Sequence, residues 1–169
     1  MKLVRSTLSD VPIIMGFIHD AQIHLASLKI DQWQDGYPDD EKIKLDIHNS
    51  DSYIVLDDNK TIIGTTVFTT KKERAYNSIK GNWVTNENAE YGVIHRLAVG
   101  EKYRKLGLAR FVFKECHKRL KSQNIGSLRI DTHQGNKAMQ HLLKDLGYAY
   151  CGIIILESGD ERLAFEKVL

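Results

Sequence analysis

Residues 91–113 read Tyr91-Gly92-Val93-Ile94-His95-Arg96-Leu97-Ala98-Val99-Gly100-Glu101-Lys102-Tyr103-Arg104-Lys105-Leu106-Gly107-Leu108-Ala109-Arg110-Phe111-Val112-Phe113. A β-branched apolar run from Val93 to Val99 stops at Gly100, and a polar turn follows. From Ala109 onward Ala109, Val112, Phe113, Cys116 and Leu120 recur at helical spacing. The stretch predicts a strand, a basic glycine-containing loop and a helix. Such a turn aims backbone N–H groups at one point, at the positive end of a helix. That is a ready anion site, most often for phosphate.

On the N-terminal side, Leu3 to Thr7 predicts a first strand. Ser9-Asp10-Val11-Pro12 is a helix start, with a capping residue before a first-turn proline. Val11, Ile14, Met15, Ile18, Ala21, Leu25 and Leu28 then repeat with helical period. Asp31 to Pro38 is turn-rich and holds Trp33 and Tyr37. A second helix opens at Pro38-Asp39-Asp40-Glu41, with Ile43 and Ile47 inward. Ser52–Asp57 and Thr61–Thr70 predict a hairpin. Lys71 to Ala89 is polar and reads as a mobile loop or strand extension.

On the C-terminal side, Ser127–Thr132 predicts a strand. Asn136 begins a helix whose apolar side is Ala138, Met139, Leu142, Leu143 and Leu146, and Gly147 ends it. Tyr148–Leu156 and Arg162–Val168 predict the last strands, with Arg162 as an edge-strand charge. The order is β-α-α-β-β-β-α-β-α-β-β, an α+β class with about seven strands and four helices. The strand–helix–strand unit around residues 93–132 implies neighbouring parallel strands in an otherwise antiparallel sheet.

With 169 residues, 42% apolar and 27% charged, the composition predicts one globular domain, residues 1–169. A net charge of +2 is too balanced for a nucleic-acid partner. The basic cluster of Lys102, Arg104, Lys105 and Arg110 suits a small polyanion better than a duplex. No apolar run approaches the roughly 20 residues needed to span a bilayer, and the N-terminal residues form no signal peptide. A cytoplasmic protein with no membrane partner is expected. Cys116 and Cys151 have no paired spacing and read as buried small hydrophobes. The histidines show no metal spacing, so no metal is expected.

Two motifs together are similar to a known family. Arg104-Lys105-Leu106-Gly107-Leu108-Ala109 matches [Q/R]-x-x-G-x-[G/A], and Asn136 through Leu146-Gly147-Tyr148 matches a second pattern of Asn, apolar helix and Leu-Gly-aromatic. In this strand order they resemble the GNAT N-acetyltransferase superfamily over nearly the whole chain. The run Ile94 to Val99 looks like that of its bacterial members. The resemblance implies a sheet of the GNAT type with splayed fourth and fifth strands, and acetyl-CoA as co-substrate. It places Leu97, Ala98 and Val99 against the pantetheine arm and the pyrophosphate on Arg104, Lys105, Leu106, Gly107, Leu108 and Ala109. Asn136 and Met139 are implied beside the arm. A homodimer is one of the assemblies such proteins form, through differing surfaces.

Acetyl transfer to an amine requires a neutral nucleophile, donors for the oxyanion and a proton for the leaving thiolate. Strand alternation puts Val93, His95, Leu97 and Val99 on one face; the resemblance implies that this face looks toward the acetyl group, which makes His95 the candidate general base. The family often carries a tyrosine acid where this chain has Leu143. Tyr148, at the end of that helix, is one candidate acid, though its usual family role is packing; the others are water, a group from another loop, or no acid at all. Trp33, Asp35 and Tyr37 combine an indole, a carboxylate and a phenol, which suit a cation with an apolar stem. The expected activity is an acyltransferase acting directly on a primary amine of a small molecule or peptide. A CoA-binding sensor without turnover is the alternative that Leu143 favours. A nucleotide-binding protein is disfavoured, because no GxxxxGK[ST] pattern occurs.

Overall fold

A computed structural model describes residues 1–169. The strands are β1 Lys2–Arg5, β2 Ser52–Leu56, β3 Ile62–Thr69, β4 Lys80–Gly81, β5 Gly92–Val99, β6 Ser127–Thr132, β7 Ala149–Ile155 and β8 Glu161–Val168. The helices are α1 Val11–Ser27, α2 Asp40–His48, α3 Leu108–Ser122 and α4 Lys137–Asp145. The fold is α+β, with an open, mostly antiparallel sheet in the order β1-β2-β3-β5-β6-β8-β7-β4. The expected strands and helices are all present. The additional strand is β4, which lies inside the segment that reads as a mobile loop or strand extension.

The chain forms two compact units, Met1–Phe68 with His95–Glu115, and Thr69–Ile94 with Cys116–Leu169. In the first, α1 starts with Pro12 in its first turn and buries Val11, Ile14, Phe17, Ile18 and Leu25. Asp39 caps α2 by accepting from the Lys42 N–H at 2.9 Å, which satisfies one of the helix's open donors. Ile43 from α2, Ile54 from β2 and Ala98 from β5 join the α1 residues in one core cluster. At about 1.5–3 kcal/mol per fully buried large side chain, this cluster is what holds α1 and α2 on the strands. Leu28, counted on the apolar face, is instead 55% exposed. It lies beyond the helix end, where the chain reverses at Lys29 with φ 56°.

In the second unit β5 pairs parallel with β6 through Gly92↔Leu128 and Val93↔Arg129. The β6–β8 and β7–β8 ladders are antiparallel. The stretch 71–89, expected to be a mobile loop or strand extension, is a docked segment that includes a short strand. It forms a 3₁₀ turn at Arg74–Asn77, and β4 pairs with β7. The physical reason is its aromatic content. Tyr76 is 2% exposed and packs with Tyr91, Val93, Ile154 and Ala164, and Trp83 lies against that cluster. The Tyr76 hydroxyl donates to Asp131 Oδ2 at 2.8 Å.

A buried ion pair completes the anchoring. Arg129 Nε donates to Glu166 Oε1 at 3.1 Å, with side chains 3% and 0% exposed. The same carboxylate accepts the backbone N–H groups of Val84 and Thr85 at 2.6 and 3.1 Å. The Arg129 guanidinium lies 4.3 Å from the Trp83 ring centroid and 4.0 Å from that of Tyr91. Burial pushes the Glu166 carboxyl up, but hydrogen bonds from Thr85 and Arg129 outweigh it and hold the group below its ordinary value. Its contribution is therefore present above the unfolded carboxylate range and is lost as pH falls through the lowered folded value. Removing one partner strands the other charge in the interior. Glu166→Ala is expected to lower unfolding free energy by about 3–5 kcal/mol in a urea titration; a loss below about 1 kcal/mol would refute the anchoring role.

Candidate functional site

The basic loop is built by hydrogen bonds that leave its far end open. Tyr103 and Arg104 N–H groups donate back to Gly100 and Glu101 carbonyls at 2.8 and 3.2 Å. The chain then takes left-handed conformations at Lys105, φ 64°, and Gly107, φ 78°. The first turn of α3 closes with the Phe111 N–H on the Gly107 carbonyl at 3.0 Å. Leu108, Ala109 and Arg110 N–H groups thus stand in the helix's first turn, where no helical acceptor exists. Alternating left- and right-handed residues ahead of a helix start form a concave set of N–H donors that suits an anion. A Cβ placed on Gly107 would meet nothing within 4 Å, so space lies beside the backbone there. The residues present fit a pyrophosphate.

The side chains divide the labour. Leu108 is 3% exposed and anchors the loop, whereas Leu106 is 69% exposed. Arg104, a candidate phosphate ligand, turns its guanidinium back: Nη2 donates to the Asp20 carbonyl of α1 at 3.1 Å. Gly100 is packed so closely that a Cβ would stand 2.8 Å from Phe17. The loop is thereby tied to α1 from two directions, and Lys102 and Lys105 are exposed cations within it.

Strand β5 departs from simple alternation. Arg96 sits in mid-strand with φ 48°, a left-handed conformation that L-residues seldom adopt there. Such a residue bulges the strand, so residues on either side do not share a face by counting in twos. The grouping of His95 with Leu97 and Val99 is corrected on this ground. Ala98 is buried in the first unit's core, while Leu97 and Val99 are half-buried. His95 is half-buried, and its carbonyl accepts from Thr66 Oγ1 at 3.3 Å.

Arg96 itself was not singled out by the sequence reading. Its Nη2 donates to Asp46 Oδ1 at 2.9 Å, and Nε stands 2.8 Å from Oδ2 at a poor hydrogen-bonding angle. Nη1 donates to the Tyr37 hydroxyl. Both ionised side chains are nearly buried, at 9% and 5% exposed. Tyr37 is 40% exposed, and its N–H donates to Asp35 Oδ1 at 3.2 Å. Trp33 is half-buried and packs on the α1–α2 cluster with φ 64°. The structure therefore joins Asp35, Tyr37, Arg96 and Asp46 in one chain of contacts. A signal was available: Asp46 occupies an inward position of α2 between Ile43 and Ile47, and Arg96 interrupts an apolar strand. Each needs a buried partner of opposite charge.

In the second unit Asn136 is the N-cap of α4, its Oδ1 accepting the Met139 N–H at 3.1 Å. Met139 is half-buried and Leu143 is 0% exposed. Tyr148 is 6% exposed, with its hydroxyl 2.7 Å from His117 Nε2. Burial raises the Tyr148 phenol well above its ordinary range. A buried phenol bound to an imidazole gives up its proton less readily, so its surroundings disfavour the acid role. Arg162, read as an edge charge, is 7% exposed, because β8 lies between β6 and β7 and is no edge. No group of three or more His, Cys, Asp and Glu side chains gathers where a metal could be held. No helix is long and apolar enough to cross a membrane.

Comparison with known proteins gives the class. The model of the acetyltransferase (GNAT) family matches residues 19–148. A GNAT-family acetyltransferase of Streptococcus agalactiae 2603 is 31% identical, over 99% of this chain and 95% of its own, with TM-score 0.88. The PaiA N-acetyltransferase of Thermoplasma acidophilum, solved with coenzyme A, has TM-score 0.71 at 14% identity over 99% and 98% of the two chains. A phosphinothricin acetyltransferase of Sinorhizobium meliloti, solved with acetyl-CoA, has TM-score 0.68 at 12% identity over 99% and 88%. No curated protein matches the chain. The chain belongs to the GNAT acetyltransferase family, which transfers acetyl from acetyl-CoA to amine substrates.

Two outcomes follow from these contacts. Arg96→Ala leaves Asp46 buried with only Lys42 Nζ at 3.4 Å, so a loss of about 3 kcal/mol is expected. The Arg96→Ala/Asp46→Ala double variant should lose less than the sum of the singles; additivity within about 0.5 kcal/mol would sink the coupling. His117 is pulled down to about 4, from 6.5, by burial and by Lys167 and Lys121. The unfolded imidazole takes its proton first, so stability should fall as pH drops from about 6.5 toward about 4. In thermal melts His117→Gln should flatten that window; an unchanged slope would contradict it.

Proposed function

We propose that the chain is an acetyl-CoA-dependent N-acetyltransferase passing acetyl directly to a primary amine of a small molecule or peptide within a ternary complex. The observation that carries this is the left-handed turn at Lys105 and Gly107 leading into the first turn of α3, inside the family-matched region. Bound acetyl-CoA supplies a thioester carbonyl activated for attack by an amine. The N–H groups of Lys105 to Ala109 hold its pyrophosphate, with Lys105 adding charge. Backbone groups of Leu97, Ala98 and Val99 orient the pantetheine arm. Asn136, whose oxygen is engaged in capping, and Met139 are assigned contacts to the arm at the start of α4.

His95 takes the proton from the acceptor ammonium at an imidazole nitrogen, directly or through water. Trp33, Asp35 and Tyr37 receive the acceptor, with Tyr37 held by Arg96. Direct transfer is supported by the cysteines. Cys116 is 0% exposed, and burial pushes the Cys151 thiol up, which disfavours the nucleophilic thiolate. Tyr148 is given a packing role beside His117.

One observation favours a second reading. Leu143, where the family often has its tyrosine acid, is fully buried and offers no proton. A CoA-binding regulatory module would tolerate that. Acetyl-CoA and CoA are expected to raise the melting temperature and ATP to leave it unchanged; the reverse would remove the cofactor assignment. Thiol release across an amine panel then separates the enzyme from the sensor. In the enzyme, His95→Ala should lower kcat about 10²-fold with KM for acetyl-CoA little changed, and full kcat in that variant would remove His95 from the mechanism.

A further inference from the structure

Acetyl transfer needs a proton for the departing thiolate, and Leu143 leaves the family's usual donor position without one. The first unit, which carries His95, Leu97 to Val99 and the anion loop, contains Tyr37, Tyr53 and Tyr103. Tyr53 is buried in β2. Tyr103 belongs to the loop assigned to the pyrophosphate, the far end of acetyl-CoA from its sulfur. Tyr37 is 40% exposed, and its hydroxyl is held by the side chain that leaves β5 at the bend, immediately before Leu97.

The Tyr37 backbone is fixed on both sides. Its carbonyl accepts from Gln22 Nε2 of α1 at 3.2 Å, and its N–H donates to Asp35 Oδ1 at 3.2 Å. Gln34 Nε2 donates in turn to the Gln22 carbonyl at 3.1 Å, which closes the loop on α1. At the side chain, Arg96 Nη1 donates to the phenol oxygen, and the guanidinium carbon stands 5.9 Å from the ring centroid. A guanidinium only donates, so the phenol is the acceptor in that bond and its own proton points away from Arg96. The surrounding charges favour release of that proton. Asp46 takes another edge of the guanidinium, but Lys42 Nζ lies 3.4 Å from the same carboxylate. Two cations against one carboxylate leave net positive charge beside the phenol, and a phenolate formed there receives a charge-assisted hydrogen bond. Asp35 is exposed, where water and salt screen its charge.

We propose that Tyr37 is the general acid of the reaction, giving its hydroxyl proton to the sulfur of CoA as the carbon–sulfur bond breaks. This rests on the acetyl-transfer reading. The acceptor nitrogen forms the new bond to the carbonyl carbon, and the electron pair of the broken bond leaves on sulfur, which takes the Tyr37 proton. The phenolate stays on the Arg96 hydrogen bond. The acceptor ammonium sheds two protons, one to His95 before attack and one as the amide forms. One of these reaches Tyr37 through water and restores the phenol, and the other leaves to solvent.

The test reads contact and turnover on the full chain. With tyrosine carbon-labelled at Cζ, the Tyr37 resonance is assigned by its loss in Tyr37→Phe. Titration with CoA is expected to shift it saturably, and desulfo-CoA, which lacks the thiol, to bind without that shift. Equal shifts with both, or none with CoA, overturn the contact with sulfur. Tyr37→Phe keeps the ring, so melting temperature and KM for acetyl-CoA should change little while kcat falls about 10²-fold. Difluorotyrosine at position 37 is a stronger acid, and an acid donates only while protonated. The alkaline limb of kcat should therefore move to lower pH, which a merely structural tyrosine would not cause. Full kcat in Tyr37→Phe, or an unmoved limb, overturns the acid role and leaves the acetyl-transfer reading standing. Absence of thiol release from any amine with the unaltered chain overturns that reading and the acid role together.

Discussion

The pairing of Arg96 with Asp46 is the constraint on which the first unit depends. A left-handed, non-glycine residue in mid-strand costs on the order of 1–3 kcal/mol and persists only where its surroundings over-determine it. Here the over-determination is visible. The guanidinium is held by a carboxylate of α2 and by the Tyr37 hydroxyl of the loop before α2. One side chain thus fixes the bend in β5, the seating of α2 and the path of the 33–37 loop. Leu97 to Val99 follow directly, so the strand groups assigned to the cofactor inherit their positions from that bend.

The same economy governs the anion loop. Its concavity comes from backbone conformation at Lys105 and Gly107, but conformation alone would leave it floppy. Arg104 fastens it to the Asp20 carbonyl and Gly100 lets it lie against Phe17. Gly64 performs a related task one strand away, where a Cβ would stand 2.9 Å from the Ala98 carbonyl and 3.0 Å from Leu108. The basic charge of the loop is therefore partly structural. Arg104 spends one guanidinium donor on the Asp20 carbonyl.

How far the sequence could be read follows from the range of each interaction. Local patterns gave the fold: the Val93–Val99 run, the Pro12 helix start, the Asp57–Thr61 hairpin and Gly147 as a helix stop all act within a few residues. The glycine loop was legible for the same reason. The bend at Arg96 was not, because alternation counts residues and knows nothing of a carboxylate at position 46. Segment 71–89 reads as a mobile loop or strand extension because its polar residues outnumber its aromatics. Yet Tyr76 and Trp83 bury in a core whose other members are remote in sequence, and that decides its order. Arg162 looked like an edge charge because strand order cannot be counted along the chain: β8 lies between β6 and β7.

Three buried arginines show why burial alone does not identify a functional group. Arg129 is enclosed by an ionised partner and two rings, and its charge is fully answered within the protein. Arg96 is answered by Asp46, with a further donor spent on positioning Tyr37. Arg162 is as buried as Arg96, yet its answer is one backbone carbonyl and one distant, half-exposed carboxylate. A buried charge without adequate compensation is costly, yet none of the Arg162 nitrogens is both buried and without a partner, whereas the Arg96 Nε is. In the sequence the three residues are equivalent arginines in apolar strands. Each makes two side-chain hydrogen bonds within the protein, so what separates them is the charge of the partner and the faces that cover it, not a count of unused donors.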